Sequence, residues 1–221
     1  MKVHGILLAA GKSLRFEENK LFSIVNDSPV IKYPVETFTN SPQLETITIT
    51  INSENQKEIE KLFPAETLEK VTFIEGGNSR NESEFIALEY LEEKSIDDND
   101  LIVIHDAARA FLSSELLERL ILHALEFGSA APYLYSGLLI DDNEVRVNQE
   151  IIEIQTPQIF DFKNLLYAYR KANIEGYESV DTTECISKYT EVIPQVVEGE
   201  ILNKKITYKN DIYELQEMLN V

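Results

Sequence analysis

The chain has 221 residues, of which 43% are hydrophobic, and its formal net charge is −19. This length and composition predict a single domain over residues 1–221 with a sizeable core. The negative charge argues against a nucleic-acid polymer as partner, because binding to a polyanion needs clustered Lys and Arg. The single cysteine, Cys185, excludes an internal disulfide and a CxxC metal site.

The apolar runs of the sequence are short. The run from Ile6 to Ala10 is too short for the core of a secretory signal, and no run approaches membrane-spanning length. Together with the single cysteine, this predicts a cytoplasmic protein with no membrane partner.

The first part of the chain alternates strand-like and helix-like segments. "HGILLAA" predicts a buried strand, and Ser28 before Pro29 predicts the start of a helix that continues toward Phe38 with a kink at Pro34. "ETITITIN" has the alternation of a strand. The spacing of Ser53 to Gln56 then predicts a capping box and a helix that reaches about Phe63.

The same alternation continues to about residue 130. "KVTFIEGG" predicts a strand, residues 85–91 a helix, "DLIVIHD" a strand buried on both faces, and a helix from about Ser114 ends at Gly128. This order predicts an α/β, Rossmann-like fold whose mostly parallel sheet carries helices on both faces. Ligands of such sheets bind at the carboxyl ends of the strands.

The second part of the chain is less regular. Alternating runs around the polar turn Asp141 to Asn143 predict a hairpin, a β-arm at about 134–154 that projects from the sheet or pairs with another subunit. Further predictions are a helix over roughly 162–172, strands over 191–197 and 204–207, and a last helix from Asp211.

Glycines and cations follow three of the predicted strands. Such a set suits a triphosphate, because glycine lets backbone N–H groups approach phosphate closely and cations neutralise its charge. Asp106, at the end of a buried strand, is a suitable ligand for Mg²⁺. The loops lack the GxxxxGK[ST] and GxGxxG spacings, so neither a P-loop nor a dinucleotide-binding loop is predicted. The residues concerned are Gly11, Lys12, Ser13, Arg15, Lys20, Gly76, Gly77, Asn78, Arg80, Ser83, Asp106 and Arg109.

Five motifs along the chain carry a family resemblance. "LLAAGKSLRF" with Lys20, "EGGNSRNES", "IHDAARAF", "QTPQIF" and "VVEGEILNKKIT" have the order and nearly the spacing found in the methylerythritol phosphate cytidylyltransferases. The chain also resembles the related ribitol phosphate cytidylyltransferases. The resemblance implies transfer of CMP from CTP to a small polyol phosphate, with release of pyrophosphate, with Mg²⁺, and commonly in a homodimer joined through the arm.

The resemblance also implies roles for single residues. It makes Arg15 and Lys20 the contacts to the triphosphate, Lys205 a further cation, and Asp106 the residue that holds Mg²⁺ and touches the ribose. The positions implied for nucleotide binding are Ala9, Ala10, Gly11, Ser13, Gly77, Asn78 and Ser83, and those implied for the acceptor are Arg109, Thr156, Asp181 and Arg146.

The sequence departs from the family pattern mainly on the acceptor side. Asn148 stands where the arm has an arginine that grips the acceptor phosphate, and Arg146, two positions away, is the candidate substitute. The usual Thr-Asp pair near the acceptor is replaced by Asp181-Thr182. On the nucleotide side, Ser13 replaces a glycine. The sequence therefore defines the nucleotide better than the acceptor.

Several alternatives remain open from sequence. The acceptor is methylerythritol phosphate or a ribitol-like or glycerol-like phosphate, so the pathway is isoprenoid or cell-envelope synthesis. The missing arm arginine allows a nucleotide-binding regulatory protein that has lost transfer activity, and similar loops occur in transferases of other nucleotides. Structural roles are also open: Asp106 and Asp181 as helix caps, Lys205 on a surface strand, Thr156 in a turn, and His105 in the core.

Overall fold

The strands of the protein were located in a computed structural model that describes residues 1–11, 16, 19–136 and 151–219. In chain order they are β1 (Val3–Leu8), β2 (Ile24–Val25), β3 (Ser28–Pro29), β4 (Thr46–Ile51), β5 (Val71–Glu75), β6 (Leu101–Asp106), β7 (Ser129–Ser136), β8 (Ile151–Ile154), β9 (Gln158–Asp161) and β10 (Val196–Glu198).

The helices alternate with these strands over much of the chain. They are α1 (Lys32–Asn40), α2 (Ser53–Glu60), α3 (Ala65–Leu68), α4 (Arg80–Glu93), α5 (Ser114–Phe127), α6 (Phe162–Glu175), α7 (Thr182–Tyr189) and α8 (Lys209–Leu219), and a short 3-10 helix covers Lys20–Phe22. None of the helices in the described ranges is both long and apolar enough to cross a membrane.

The main sheet has the strand order β10-β7-β9-β6-β1-β4-β5, and β8 pairs with β7. β1 is parallel to both β4 and β6, and β4 is parallel to β5. β9 is antiparallel to both of its neighbours, β6 and β7. The predicted α/β fold with a mostly parallel sheet is confirmed, and the carboxyl ends of β1, β4, β5 and β6 meet at one edge.

The side chains of β6 show how the sheet separates two apolar layers. Leu101 and Val103 belong to the layer that includes residues of α1 and α5, whereas Ile102 and Ile104 pack with residues of α4, α6 and α7. Successive side chains of a strand point to opposite faces. The side chain of Asp106, two residues after Ile104, therefore lies on the face that carries α4.

The prediction of a helix that begins at Ser28 and Pro29 is wrong. These residues form β3, which pairs with β2 in a short hairpin. Asn26 and Asp27 connect the two strands with φ of 45° and 66°, which is the conformation of a tight hairpin turn. The helix, α1, starts only at Lys32 and contains Pro34 in its first turn, where a missing N–H is tolerated.

Two further local predictions are wrong. α2 starts at Ser53 after an Asn52 N-cap that makes no side-chain capping bond, so the capping box is absent, and the N–H of Ser53 bonds to Glu75 instead. The segment 204–207 contains no strand, because it lies against the loop after β6 rather than at the sheet edge.

The helices predicted over 85–91, 162–172 and from Ser114 are confirmed as parts of α4, α6 and α5. Gly128 ends α5 in a left-handed conformation, with φ of 85°, as its position predicts. The predicted β-arm falls mostly on residues 137–150, outside the described residues. The antiparallel pair β7 and β8 flanks them.

Candidate active site

A cleft with about 620 Å³ of empty space lies at the carboxyl ends of the parallel strands. Its walls come from the loop after β1, the loop between β5 and α4, the end of β6 and the segment around Lys205. The lining residues used below are Ala9, Ala10, Gly11, Lys20, Gly77, Asn78, Ser83, Arg80, Asp106 and Lys205.

The loops after β1 and β5 approach each other closely at Gly76. A Cβ on Gly76 would overlap the Cβ of Ala10 and come within 3.1 Å of the Ser83 hydroxyl. The N–H of Ala9 bonds to the carbonyl of Thr50, and that of Gly76 bonds to Ile51, so both loops continue the sheet. The two loops can therefore pack closely together at this wall of the cleft because Gly76 has no side chain.

The hydroxyl of Ser83 shapes the turn that precedes α4. It accepts a bond of 3.0 Å from the N–H of Gly77 and donates one of 2.9 Å to the carbonyl of Ser79. Glu82 accepts a bond from the N–H of Asn78, while the Ser79 hydroxyl accepts from the N–H of Glu82. These reciprocal bonds fix Gly77 and Asn78 at the cleft wall.

The carboxylate of Asp106 lies between two cations. Its Oδ1 accepts a bond of 3.1 Å from Nε of Arg80, and its Oδ2 accepts one of 2.6 Å from Nζ of Lys205. Burial alone would raise the pKa of Asp106, but the charges of Arg80, Lys205 and Arg109 outweigh burial and lower the pKa far below its usual range. The carboxylate is thus ionised at neutral pH. Its described bonds go to Arg80 and Lys205 and no described helix starts directly after it, so it does not act as a helix cap.

Lys20 and Lys205 converge on the cleft from different segments. Nζ of Lys20 donates a bond of 2.9 Å to the carbonyl of Ile206, next to Lys205 in the chain. Ile206 is fully buried, and its N–H bonds to the carbonyl of Ala108. The buried Ile206 therefore anchors the segment that carries Lys205 beside the end of β6.

Arg80 is part of the site, although the sequence pattern placed it only in the general set of residues that follow the strands. The residue begins α4, and its guanidinium joins Asp106 to the fully buried Glu84 through a second ion pair of 2.9 Å. The i,i+4 spacing of Arg80 and Glu84 is common on exposed helix faces. The signal that could have identified the pair is the position of Arg80 at a helix start beside the end of a neighbouring strand.

Thr156 and His105 form a buried chain of hydrogen bonds behind Asp106. The Thr156 hydroxyl accepts from the N–H of Asp106 at 3.1 Å, so its proton faces Nδ1 of His105 at 2.9 Å. Nε2 of His105 then donates to the carbonyl of Arg109 at 3.1 Å. The Thr156 hydroxyl is therefore committed to the end of β6, and His105 is a core histidine with both nitrogens bonded.

Arg109 is a buried cation near the cleft. Its Nη1 donates a bond of 2.9 Å to the carbonyl of Asn203, whereas its Nε has no hydrogen-bond partner within the described part of the chain. Burial lowers the pKa of Arg109, and the carboxylates of Asp106, Glu153 and Asp181 oppose this effect. Its Nε is thus a donor that an anionic group could use.

Asp181 caps α7 in the described structure. Its carboxylate accepts bonds from the N–H of Glu184 at 2.8 Å, from the hydroxyl of Thr183 at 2.6 Å and from the amide of Gln158 at 2.9 Å. The capping alternative is correct for this conformation. Asp181, like Arg109 and Thr156, does not line the cleft.

Three of the predicted site residues, Arg15, Ser13 and Arg146, lie outside the described residues. The other three residues predicted to be catalytic, Lys20, Asp106 and Lys205, line one cleft, and so do the remaining residues predicted to bind the nucleotide. Lys205 faces this cleft from an irregular segment rather than lying on a surface strand.

Comparison with known proteins gives the same fold and a family. The family model of 2-C-methyl-D-erythritol 4-phosphate cytidylyltransferase matches residues 3–220. The protein of that name from Dictyoglomus thermophilum is 32% identical, with 99% of this chain and 97% of the relative covered.

Solved structures are similar over nearly the whole chain. 4-diphosphocytidyl-2C-methyl-D-erythritol synthase from Anaerococcus prevotii superimposes with a TM-score of 0.80 at 24% identity, covering 100% of this chain and 99% of that one. Bifunctional IspDF from Campylobacter jejuni superimposes with a TM-score of 0.80 at 30% identity, covering 97% of this chain and 54% of that one. The match to the family model over residues 3–220 shows that this chain belongs to the 2-C-methyl-D-erythritol 4-phosphate cytidylyltransferase family.

Proposed function

We propose that the protein transfers CMP from CTP to 2-C-methyl-D-erythritol 4-phosphate, with release of pyrophosphate. The observation that carries this proposal is the cleft in which Lys20, Lys205 and the ionised Asp106 come together at the strand ends. Cations gathered at the strand ends suit a reaction in which negative charge grows on a transferred phosphoryl group.

The proposal orients the nucleotide with its base at the loops after β1 and β5 and its phosphates toward the lysines. Ala10 and Ser83 line the cleft beside the close approach at Gly76, and we expect this side to hold the base and to favour a pyrimidine over a larger purine. The triphosphate then extends toward Lys20 and Lys205, and Arg15 adds a further cation from the loop after β1. An acidic protein can hold such an anion because these charges are concentrated at one place.

The chemistry needs no general base. A phosphate oxygen of the acceptor, already ionised at neutral pH, attacks the α-phosphorus and forms the new P–O bond. The bond from the α-phosphorus to the bridging oxygen breaks, and pyrophosphate leaves with that oxygen. Positioning of the two anions and neutralisation of their charge by Arg15, Lys20 and Lys205 supply most of the rate.

Mg²⁺ is compatible with the site when it arrives with the nucleotide. The described residues contain no group of three or more His, Cys, Asp or Glu side chains that would form a protein cage for a metal. Asp106 alone would hold the ion, because each carboxylate oxygen keeps a second lone pair besides its bond to Arg80 or Lys205. The phosphates would supply further ligands, and the ion would neutralise their charge.

The acceptor side is proposed from Arg109, Thr156, Asp181 and Arg146. Arg109 does not line the cleft, and it is proposed for the acceptor phosphate because the family pattern puts it on the acceptor side and its Nε is buried without a hydrogen-bond partner among the described residues. Thr156 contributes by holding the backbone of Asp106.

The experiment is a pyrophosphate-release assay with CTP and Mg²⁺ and a panel of acceptors. Methylerythritol phosphate, ribitol 5-phosphate and glycerol 3-phosphate are compared by kcat/KM, and UTP and GTP replace CTP in parallel. The proposal predicts turnover with CTP and methylerythritol phosphate and a much lower kcat/KM for every other pair. Preference for ribitol 5-phosphate would reject methylerythritol phosphate as the acceptor. Binding of CTP without turnover on any acceptor would indicate a nucleotide-binding protein.

A further inference from the structure

Arg80 contacts protein groups with all three of its side-chain nitrogens. Nε donates to Asp106, Nη1 lies 2.9 Å from Oε1 and 3.0 Å from Oε2 of Glu84, and Nη2 lies 3.4 Å from the hydroxyl of Thr182. The side chain lines the cleft, yet Nε contacts Asp106 and the two Nη atoms contact Glu84 and Thr182. Arg80 therefore differs from Lys20 and Lys205, whose terminal amines are flexible point charges.

Glu84 is the anchor that holds Arg80 in this orientation. It is fully buried, and besides Arg80 it accepts bonds of 2.6 Å from the hydroxyl of Tyr169 and 2.7 Å from the hydroxyl of Thr182. Burial raises the pKa of Glu84, and the charge of Arg80 and the two hydroxyls act against that rise. Among the described residues, the partners of this carboxylate thus come from α4, α6 and the start of α7.

A buried ion pair is a poor source of stability. Removing two charges from water carries a large free-energy penalty, and apolar side chains of similar volume often stabilise a core as well or better. The neighbours of Glu84 along α4, Ala87 and Leu88, show that an apolar side chain suits this layer. Folding stability alone therefore does not account for this ion pair. The guanidinium that Glu84 holds contacts Asp106.

We propose that Arg80, held by Glu84, is a positioning residue that fixes the carboxylate of Asp106 for CMP transfer. The inference rests on the proposed function and assigns this residue a role in it. Lys205 alone leaves the carboxylate free to rotate about its Cα–Cβ and Cβ–Cγ bonds, whereas the second contact, to Oδ1, defines its plane. A rigid second contact of this kind is what keeps a reacting group within the narrow geometry that transfer requires.

The test is a double-mutant cycle between Arg80→Met and Asp106→Asn, measured as kcat/KM for CTP. Misplacement of a reacting group by about 1 Å lowers a rate by about 100-fold, which is the loss expected for Arg80→Met alone. Because Arg80 acts through Asp106, adding Arg80→Met to the Asp106→Asn variant should lower kcat/KM by less than about 3-fold. Arg80→Lys should recover part of the loss, since its amine still reaches one carboxylate oxygen.

The controls separate positioning from folding. Arg170→Met removes an arginine that also pairs with carboxylates of α4, Glu89 and Glu92, but on an exposed face, and it should leave kcat/KM unchanged. If Arg80→Met does not fold because Glu84 is left unpaired, Arg80→Met combined with Glu84→Gln keeps an acceptor for Tyr169 and Thr182 and takes its place in the cycle.

Two results would overturn the inference. One is an Arg80→Met variant with wild-type kcat/KM, and the other is a full second loss of about 100-fold when Arg80→Met is added to Asp106→Asn. A failure of the proposed function looks different, because the unmutated protein would then release no pyrophosphate with any acceptor. In that case both the proposed reaction and the role of Arg80 in it would be rejected.

Discussion

At the scale of single residues, the cleft depends on the charge of Asp106. The carboxylate has Lys205 on one oxygen and Arg80 on the other, and its low pKa keeps it ionised throughout the neutral range. Two cations in contact with it would oppose a bare metal ion. We therefore expect Mg²⁺ to bind together with the triphosphate, whose negative charge reverses the local balance.

Asp106→Asn tests this role with almost no change in shape. The neutral amide is a weaker ligand for Mg²⁺ and leaves Lys205 and Arg80 without a counter-charge, so we expect kcat to fall by about 100-fold or more. The Mg²⁺ concentration needed for half-maximal turnover should also rise. The measurement is pyrophosphate release against Mg²⁺ concentration, and a response identical to that of the unmutated protein would reject Asp106 as the metal ligand.

Sequence reasoning could identify some of these residues and not others. Asp106 and Lys20 were predictable because each follows a strand, and Lys205 because its motif resembles that of the family. Arg80 was predicted only as one of the cations near a triphosphate and not as a partner of Asp106, since Glu84, its other partner, has the spacing of an ordinary surface ion pair. Burial of that pair depends on α6 packing on α4 and on Thr182 at the start of α7, which the linear pattern does not contain.

At the scale of secondary-structure elements, the loops at the ends of β1 and β5 must touch. They do so because Gly76 has no Cβ, and the Ser83 hydroxyl then holds the following turn. The distance between these two loops therefore affects the shape of the cleft.

Gly76→Ala should increase the distance between the loops after β1 and β5. The new methyl group would overlap the Cβ of Ala10, so we expect a loss of stability of about 1–3 kcal/mol and a higher KM for CTP. Urea unfolding and steady-state kinetics measure the two effects. Gly11→Ala is the matched control for stability, because a Cβ there meets nothing within 4 Å. Equal stability of the two variants would contradict the close approach.

Helix α8 supports the segment that carries Lys205. Asp211, in its first turn, accepts bonds of 2.7 and 2.8 Å from the N–H groups of Thr207 and Tyr208 and pairs with Lys204 at 2.9 Å. Burial alone would raise the pKa of Asp211, but these bonds outweigh burial and lower it below its usual value of 3.8. The ionised carboxylate thus ties α8 to the loop next to the cleft.

This arrangement predicts a pH dependence. Because the pKa of Asp211 is lower in the folded state, its contribution is complete above about pH 4 and is lost as pH falls through the folded value. Asp211→Asn should therefore cost about 1–3 kcal/mol at pH 7 and progressively less below pH 4. Urea unfolding of both proteins at pH 7 and pH 3 measures the difference, and a gap of equal size at both values would contradict the prediction.

The errors at this scale came from short segments. Ser28 and Pro29 satisfy the rule for a helix start, but the turn at Asn26 and Asp27 pairs them with β2. The segment 204–207 has strand-like residues, yet the bond from Ile206 to Ala108 places it over the site. In both places a tertiary contact determines the conformation, whereas the long alternating elements follow from their own periodicity.

At the scale of the whole molecule, the protein has a net charge of −19, although the proposed substrate is itself an anion. Long-range attraction would favour cations, so we expect CTP to enter with Mg²⁺ and to bind through the local cluster at the cleft. The predicted homodimer would place the arms of two copies against each other.

The dimer is testable through the base of the arm. Tyr135 on β7 is 66% exposed and Ile152 on β8 is 37% exposed, which leaves apolar surface beside the predicted contact. We expect the protein to sediment as a dimer and Tyr135→Glu to shift it toward the monomer in analytical ultracentrifugation. Sedimentation of the unmutated protein at 25.3 kDa would contradict the dimer.

The matched pair Lys204 and Lys205 gives the most direct test of the transfer site. Lys205 contacts Asp106 in the cleft, whereas Lys204, its neighbour in the chain, pairs with Asp211 and Glu214 of α8. The measurement is kcat/KM for pyrophosphate release by Lys205→Ala and Lys204→Ala. A loss of about 100-fold or more in Lys205→Ala, with Lys204→Ala near the unmutated value, is predicted. Equal activity of the two variants would contradict transfer in this cleft.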